Sequence, residues 1–345
     1  MNPLSSSPQT DPSQILRYRD RQYAAELIAA LLLKYDFFSW LSHKNGATTE
    51  EIKKQFGWAA RPCDVALTLC RCNNFITSTE EHHEITILGR EHLVKGSQWF
   101  LGPYYKPIED TPIVDSFLEV MKSGRPAQWQ ANEDGDDWHE SMMDEEFAKS
   151  FTDLMNCRGT AFGQALAHGL TPWMDGKKTL LDIGGGSGIY SSTLVSTFPN
   201  LNATVFEQSP VDDIARKEIR NHGLDGKIKV ITGNMFKDNW PKEADILLLS
   251  NVLHDWDFPE VETLIELSAS CLKPGGLLVI HEAFLNNDKS GPLAVAEYSA
   301  LLMNITQGKC YSPLEYGKLL EQNSFRVGSY HDTISDRGFM TAVKT

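Results

Sequence analysis

Residues 180–189 have the sequence Leu-Leu-Asp-Ile-Gly-Gly-Gly-Ser-Gly-Ile, in which a short apolar run leads into a cluster of glycines. The apolar run predicts a buried strand, and the segment after the glycines predicts a helix. Glycine lets the backbone turn sharply and approach a ligand where a Cβ would collide with it. Glu207 ends the next predicted strand, 25 residues after Asp182, and a carboxylate there can accept hydrogen bonds from both hydroxyls of a ribose. Together these features predict a nucleoside site.

Strands and helices continue to alternate from this loop towards the C-terminus. The predicted strands cover residues 180–183, 203–207, 228–232, 244–250 and 277–281, and the predicted helices cover residues 189–197, 211–223 and 260–271. This alternation is typical of a parallel, doubly wound sheet. Two last strands, residues 325–330 and 339–343, are separated by a polar turn. We therefore predict an α/β fold with a Rossmann-like doubly wound sheet and a C-terminal antiparallel hairpin.

The first hundred residues have a helical pattern that ends in one hairpin. The expected elements are helices over residues 13–41, 48–57 and 61–72 and a hairpin over residues 75–87. This order is typical of an all-α winged-helix domain. Residues 27–38 are apolar nearly all round, which predicts a buried helix that a second chain could help to cover.

Charge and composition exclude several classes of partner. The formal net charge is −14, and residues 1–100 hold 11 Lys or Arg and 11 Asp or Glu, so that the whole acidic excess lies in the remainder. Such a chain repels phosphate backbones, which argues against nucleic acid. No apolar run approaches the roughly 20 residues that span a bilayer, and no signal peptide is visible. The six cysteines form no CxxC pair, so we expect free thiols, a cytoplasmic location and no membrane partner.

The glycine loop differs from the common phosphate-binding loops. It lacks the Gly-Lys-Ser/Thr of a P-loop, and it lacks the last glycine of a dinucleotide fingerprint. Asp182 at its start suits a cationic ligand better than a pyrophosphate. S-adenosylmethionine carries both an ammonium and a sulfonium, so it is the favoured ligand. A nicotinamide-dependent oxidoreductase remains an alternative.

Several short motifs carry a family resemblance that covers nearly the whole chain. They are LDIGGGSG at residues 181–188, FE at 206–207, GNMF at 233–236, LHDWD at 253–257, LKPGG at 272–276 and HE at 281–282. With these motifs the chain resembles the class I S-adenosylmethionine-dependent small-molecule O-methyltransferases. The most similar group contains the plant caffeate-type enzymes, acetylserotonin O-methyltransferase and bacterial secondary-metabolite methyltransferases.

The resemblance implies the residues that hold S-adenosylmethionine and its product S-adenosylhomocysteine. They are Asp182, Gly184, Gly186, Gly188, Glu207, Asn234, Met235, Phe236 and Ser250. The glycines would line the methionine part, Glu207 the ribose, and residues 234–236 the adenine. Many family members have Asp at the position of Asn234, but an amide oxygen can still accept a hydrogen bond from the adenine amino group.

The resemblance also implies a catalytic pair. His254 follows the fourth strand at the cofactor edge of the sheet, and an imidazole ordinarily titrates near neutral pH, which suits a general base. Glu282 would orient it by accepting the imidazole N–H, with Asp255 as a competing orienter. Cys310 stands where the family has a second supporting acid. This departure leaves open a carbon or nitrogen acceptor.

The acceptor pocket is expected between the domains. Its predicted lining is Met155, Trp256, Met303, Asn304 and Gln307, with Phe151 and Trp129 as further candidates. Met303, Asn304 and Gln307 are expected on one helical face. Such a lining suits a flat, largely apolar acceptor. No pair with metal-ligand spacing is present, so we expect no metal.

We therefore predict a homodimeric, cytoplasmic O-methyltransferase that acts on the hydroxyl of a small aromatic metabolite. The alternatives are a C- or N-methyltransferase acting on a small aromatic or 2-oxo acid, and a regulatory binding protein that has lost catalysis. The expected organisation is a disordered tail over residues 1–12, a winged-helix dimerisation domain over 13–100, a helical linker over 101–170 and a Rossmann-like cofactor domain over 171–345.

Overall fold

The computed structural model describes residue 4 and residues 8–79, 82–126 and 145–345, except the side chains of residues 145, 147 and 151. The chain divides into two compact units, each built from segments that are distant in sequence. The first unit contains Met1–Gln14, Asp137–Phe284 and Pro313–Thr345, and the second contains Ile15–Asp136 and Leu285–Ser312.

A seven-stranded sheet forms the centre of the first unit. Its strands are β4 (Thr179–Ile183), β5 (Asn202–Glu207), β6 (Ile228–Thr232), β7 (Ala244–Ser250), β8 (Leu272–Glu282), β9 (Phe325–Asp332) and β10 (Gly338–Lys344). The strand order is β6-β5-β4-β7-β8-β10-β9, with parallel pairing from β6 to β8 and antiparallel pairing of β10 with both neighbours. The predicted doubly wound sheet with an antiparallel C-terminal hairpin is confirmed.

The strand order reverses beside β4, which pairs with β5 on one side and β7 on the other. In open parallel sheets, ligands bind outside the carboxyl ends of the strands at such a switch point. The glycine loop after β4, Glu207 at the end of β5 and the His254 turn after β7 therefore lie at one edge of the sheet.

Helices connect these strands. They are α9 (Glu145–Leu170), α10 (Ile189–Thr197), α11 (Val211–Asn221), α12 (Phe258–Cys271) and α14 (Pro313–Gln322). Two glycines of α9 let it approach α10 closely. A Cβ on Gly159 would lie 2.6 Å from Ile189 Cγ2, and one on Gly163 would lie 2.2 Å from Thr193 Oγ1. The middle of α9 is therefore fixed against the helix that follows the glycine loop.

The second unit is mainly helical. Its elements are α1 (Ser13–Asp20), α2 (Ala24–Ala29), α3 (Phe37–Lys44), β1 (Ala47–Thr48), α4 (Thr49–Phe56), α5 (Ala60–Cys72), β2 (Ile76–Thr79), β3 (His82–Ile85), α6 (Ile87–His92), α7 (Gly102–Tyr105), α8 (Pro112–Ser123) and α13 (Leu293–Ile305). The small sheet has the order β1-β3-β2, so the predicted hairpin gains a third strand. Thr48 and Glu51 form a capping box that begins α4, as the threonine and glutamates of the sequence predict.

The prediction of one continuous helix over residues 13–41 is wrong. The segment is divided into α1, α2, a π-helical turn over Ala30–Lys34, and α3. Asp36 has a left-handed backbone with a φ of 51°, which ends the π turn before α3 begins. Leu27, Leu31 and Leu32 are already buried in the single chain, so their apolar character does not require a second one.

None of the helices in the described ranges is long and apolar enough to cross a membrane. The predicted N-terminal tail falls partly on residues 1–3 and 5–7, which lie outside the described residues.

The close packing of α9 on α10 gives a stability prediction. We expect Gly163→Ala to lower the free energy of unfolding by about 1–3 kcal/mol. Thr193 is fully buried, and its hydroxyl donates to the Tyr190 carbonyl at 2.8 Å, so it cannot move aside freely. Gly226→Ala is the matched control, because nothing lies within 4 Å of a Cβ at that position.

Urea unfolding followed by circular dichroism measures both variants. Adding Thr193→Ala to Gly163→Ala should recover much of the lost free energy of unfolding, because it removes the crowded side chain. Equal stability of the two glycine variants would contradict the proposed tight contact.

Candidate active site

The glycine loop leaves β4 with three left-handed residues. The φ angles of Gly184, Gly186 and Gly188 are 62°, 57° and 75°, a backbone region that other L-residues rarely adopt. The N–H of Gly186 donates to Glu207 Oε2 at 2.8 Å, and no atom lies within 4 Å of the Cβ position of Gly186. The loop therefore folds onto Glu207 and leaves open space beside its central glycine.

Both carboxylate oxygens of Glu207 accept hydrogen bonds from backbone N–H groups. Its Oε1 accepts from the N–H of Gln208 at 2.8 Å, while Oε2 accepts from Gly186. Burial raises the pKa of Glu207 to about 7, although these two backbone donors favour the charged form. Each oxygen has a second lone pair, so Glu207 can still accept hydrogen bonds from a diol.

Asp182 is buried at the end of β4 with one oxygen unsatisfied. Its Oδ2 accepts from the Ser191 hydroxyl at 2.7 Å, whereas Oδ1 has no hydrogen-bond partner within the described part of the chain. Burial raises the pKa of Asp182 to about 7, against the effect of the Ser191 hydrogen bonds. An orphan buried acceptor suits a donor or cation that a ligand would bring.

Residues 234–236 lie beyond β6 and close to the glycine loop. The Sδ of Met235 is 3.8 Å from the Cβ position of Gly184, and the Phe236 ring packs edge-on against Trp256 with centroids 4.7 Å apart. The side-chain oxygen of Asn234 is already hydrogen-bonded within its own turn. Its Oδ1 accepts from the backbone N–H groups of Phe236 and Lys237 at 2.9 and 3.1 Å. The oxygen expected to reach adenine therefore caps its own turn.

A short 3₁₀ turn, Leu253–Asp255, follows β7 and carries His254. Glu282, the last residue of the neighbouring strand β8, supports this turn. Its Oε1 accepts from the backbone N–H groups of Val252 and Leu253, both at 3.0 Å, and its Oε2 pairs with His254 Nδ1. Both partners are buried, with His254 3% and Glu282 1% exposed. One carboxylate thus fixes the backbone and the imidazole together.

Asp255 lies on the other side of the imidazole. Its Oδ1 is 3.7 Å from His254 Nε2, so it does not compete with Glu282 for Nδ1. Burial raises the pKa of Asp255 to about 7; His254 opposes this shift and Glu282 adds to it. The carboxyl beside His254 Nε2 is therefore partly neutral near pH 7.

A buried polar network behind the turn was not predicted from the sequence, although its member Ser250 was predicted as a cofactor contact. The Ser250 hydroxyl lies 2.8 Å from His281 Nδ1, and Asn251 Nδ2 donates to the Tyr190 hydroxyl at 2.9 Å. Burial lowers the pKa of His281 to about 3, so this imidazole is neutral. Asn251 has a φ of 53°, a left-handed backbone that asparagine adopts more readily than most residues. Its residue type was therefore the one sign of this conformation in the sequence.

The predicted acceptor residues belong to both units. Met155 and Trp256 are in the first, and Met303, Asn304 and Gln307 are in the second. The expectation of one helical face for the last three is wrong, because α13 ends at Ile305. Trp129 and the side chain of Phe151 lie outside the described residues.

The segment around Cys310 is tied to α5 within the second unit. Arg61 donates to the carbonyls of Met303 and Gly308 at 3.1 and 2.7 Å, and Lys309 pairs with Asp64 at 2.5 Å. Cys310 itself is fully buried. Across the described residues, no group of three or more His, Cys, Asp or Glu side chains could hold a metal ion.

Comparison with known proteins gives consistent matches. Residues 118–326, more than half of the chain, match the model of the O-methyltransferase domain family. The chain belongs to this O-methyltransferase family. The family predicted from the sequence motifs is therefore confirmed, and with it the expectation of an enzyme.

Individual relatives agree with this assignment. The 3-hydroxy-5-methyl-1-naphthoate 3-O-methyltransferase of Streptomyces sahachiroi is 26% identical over 272 residues, 78% of this chain and 77% of the relative. The acetylserotonin O-methyltransferase of Bos taurus is 37% identical over 148 residues, but the match spans only 43% of this chain and 42% of the relative. The crystal structure of an O-methyltransferase family 2 protein from Planctomyces limnophilus, in complex with apigenin, has a TM-score of 0.87 at 26% identity and covers 99% of this chain and 98% of that one.

Proposed function

We propose that this chain transfers a methyl group from S-adenosylmethionine to the hydroxyl of a small aromatic metabolite, with His254 as the general base. The observation that carries the proposal is the buried pairing of His254 with Glu282 at the strand edge that also holds the glycine loop. The family match supports oxygen as the methyl acceptor over carbon or nitrogen, and supports catalysis over hydride transfer or a purely regulatory role.

The residues around the glycine loop fit S-adenosylmethionine. Asp182 Oδ1, an orphan buried acceptor, would hold the ammonium, and Glu207 would accept hydrogen bonds from the ribose hydroxyls. The open space beside Gly186 leaves room for the ligand chain. When bound, S-adenosylmethionine supplies an electrophilic methyl group on a sulfonium. Met235 and Phe236 complete the predicted adenine surroundings, with Gly184, Gly188, Asn234 and Ser250 as further predicted contacts.

Proton transfer in this proposal depends on one carboxylate. Glu282 Oε2 lies against Nδ1 of His254, so we place the imidazole proton on Nδ1 and the lone pair on Nε2. Nε2 takes the proton from the acceptor hydroxyl, and Glu282 stabilises the imidazolium that forms. Asp255, at 3.7 Å from Nε2, adds negative potential when it is ionised.

Residues outside the catalytic pair are proposed to contact the acceptor. They are Met155 and Trp256 in the first unit and Met303, Asn304 and Gln307 in the second. Trp256 already packs against Phe236, which is a predicted cofactor contact. An aromatic acceptor fits such apolar and aromatic groups with few polar ones. Residues 13–100 are proposed as a dimerisation domain and residues 171–345 as the cofactor domain, with Leu285–Ser312 of the latter range belonging to the second unit.

We also propose a homodimer and a cytoplasmic location. Large apolar side chains of the N-terminal helical region remain exposed in the single chain, among them Tyr104 at 83%, Ile87 at 77% and Ile15 at 76%. Exposed large apolar side chains are candidates for a protein interface. All six cysteines are free, which agrees with a reducing compartment. Light scattering should give twice the 38.7 kDa chain mass, and the mass of one chain would contradict the dimer.

Replacing His254 tests the proposed base. We expect His254→Ala to lower kcat by about 100-fold or more while affinity for S-adenosylhomocysteine stays nearly unchanged. Glu282→Gln should also lower kcat, by about tenfold or more, because its amide group would turn the imidazole to the wrong tautomer. His168→Ala, an exposed histidine near the end of α9, is the matched control.

Turnover is measured with a panel of phenols, by mass spectrometry of the methylated product. Near-normal turnover by His254→Ala would exclude the role as base. Methylation on carbon or nitrogen would support the alternative acceptor chemistry.

Two carboxyls beside the glycine loop, Asp182 and Glu207, are expected to make cofactor binding depend on pH. Burial raises the pKa of Asp182 and of Glu207 to about 7 in the free protein, so both are partly protonated at neutral pH. A bound ammonium favours the carboxylate of Asp182, so binding releases protons and tightens as pH rises through about 7. We expect affinity for S-adenosylhomocysteine to rise by about tenfold between about pH 6 and pH 8.

Calorimetric titration in phosphate and in Tris measures the proton release, because the two buffers have different heats of ionisation. Asp182→Asn should lose much of the release, since the amide cannot titrate. Binding that is independent of both pH and buffer would contradict the proposed contact between Asp182 and the ligand.

A further inference from the structure

Asn251 is the residue at which the chain leaves the central sheet for the turn that carries His254. Its backbone N–H still donates to the carbonyl of His281 in β8, at 2.9 Å, as a strand residue would. Its φ of 53° is left-handed, so the extended path of β7 ends here and the turn begins. Asparagine and glycine adopt this conformation more readily than other residues. Asn251 therefore sets the direction in which the turn starts.

The direction of the chain at Asn251 determines where the next two backbone N–H groups point. Those of Val252 and Leu253 both donate to Glu282 Oε1 at 3.0 Å. The other oxygen of the same carboxylate pairs with His254 Nδ1. A change of backbone direction at Asn251 would therefore displace two of the donors to Glu282 and the imidazole together.

The side chain of Asn251 connects this turn to the helix that follows the glycine loop. Its Nδ2 donates to the Tyr190 hydroxyl at 2.9 Å and lies 3.2 Å from Ser250 Oγ. Tyr190 is the second residue of α10 and is buried, and its ring packs edge-on against His281 with centroids 5.5 Å apart. The hydroxyl that receives the Asn251 amide is therefore held in one place.

The residues that Asn251 joins are uncharged near neutral pH. Burial lowers the pKa of His281 to about 3 and raises the pKa of Tyr190 above its usual value. Ser250 and Asn251 do not titrate. The hydrogen bonds of the Asn251 amide therefore fix positions without placing a further charge beside His254. This distinguishes Asn251 from Glu282 and Asp255, which act on the imidazole through their charge.

Methyl transfer depends on the relative position of these two elements. In the proposed function the glycine loop before α10 holds the methyl donor, and the turn after β7 holds the base. A displacement of about 1 Å between reacting groups can lower a rate by about 100-fold. A contact between the two elements therefore has a direct bearing on the rate of the chemical step.

We propose that Asn251 is a positioning residue for methyl transfer. Its left-handed backbone aims the turn that carries His254, and its amide fixes that turn against the helix that follows the glycine loop. Asn251 acts through His254 and takes no part in bond exchange. This inference rests on the proposed function, since it requires His254 as the base.

The variants separate the backbone from the amide. Asn251→Gly keeps the left-handed conformation and removes the amide, Asn251→Ala removes both, and Tyr190→Phe removes only the hydroxyl that the amide reaches. Glu243 is the matched control, because it is exposed and has a φ of 69° directly before β7, at the opposite end of the same strand. Glu243→Gly and Glu243→Ala repeat the backbone comparison there.

Single-turnover methylation measures the chemical step, with the phenol of the panel that the wild type methylates fastest. We expect Asn251→Gly to lower this rate by about tenfold, and Asn251→Ala to lower it further. Tyr190→Phe should lower the rate too, and combining it with Asn251→Gly should cost less than about twofold more, since both remove the same contact. Affinity for S-adenosylhomocysteine and KM for the phenol should stay within about twofold of wild type. Both Glu243 variants should keep the wild-type rate.

The His254→Ala background shows whether Asn251 acts through the base. With the imidazole absent, adding Asn251→Gly should lower the residual rate by less than about twofold. A residue required only for folding would lower the rate by the same factor in both backgrounds. Circular dichroism confirms that each variant is folded, and Asn251→Ala should melt at a lower temperature than Asn251→Gly because alanine disfavours the left-handed backbone.

Three results would overturn the proposal. A wild-type rate in Asn251→Gly would show that the amide does not position the turn. An equal loss with and without His254 would show that Asn251 does not act through the base. A loss of S-adenosylhomocysteine affinity as large as the loss of rate would assign Asn251 to donor binding. Near-normal turnover by His254→Ala contradicts the proposed function itself, whereas a slow His254→Ala beside a normal Asn251→Gly overturns this inference alone.

Discussion

The carboxylate of Glu282 is the constraint on which the site depends. One oxygen accepts the backbone N–H groups of Val252 and Leu253, and the other pairs with His254. A buried carboxylate is stable only when such donors surround it, and removing one partner leaves an uncompensated group. The shape of the turn after β7 and the orientation of the imidazole therefore have the same cause. The carboxylate at the end of β8 therefore supports the turn and, in the proposed mechanism, the base that the turn carries.

Three other carboxyls of the first unit, the buried Asp182 and Asp255 and the half-buried Glu207, have pKa values raised to about 7. An acid with a raised pKa in the folded state favours folding at low pH, and that contribution is lost as pH rises from about 4 through 7. In the free enzyme, these three groups therefore contribute less to the stability of the fold at neutral pH than at acidic pH. The proposed contact of Asp182 with the ammonium of the ligand would oppose this effect, because a nearby cation stabilises the carboxylate.

The sequence predicted the parts of the structure that depend on local pattern. Strand and helix periodicity located β4 to β8, and the rule that parallel strands end at one edge brought Glu207, His254 and Glu282 together. Features that depend on specific side-chain partners were not predictable. The oxygen of Asn234 caps its own turn, and the break at Asp36 is a left-handed backbone within an apolar stretch. Neither the cap at Asn234 nor the break at Asp36 produces a periodic pattern of apolar residues in the sequence.

Helix α9 is positioned against α10 by two of its glycines. Gly159 and Gly163 bring its backbone against α10, so the approach depends on missing side chains and not on what α9 presents elsewhere. Met155, the proposed acceptor contact of this helix, lies one turn before Gly159. The position of α9 against the helix that follows the glycine loop therefore depends on two positions without a side chain, and the proposed acceptor contact is carried by the same helix.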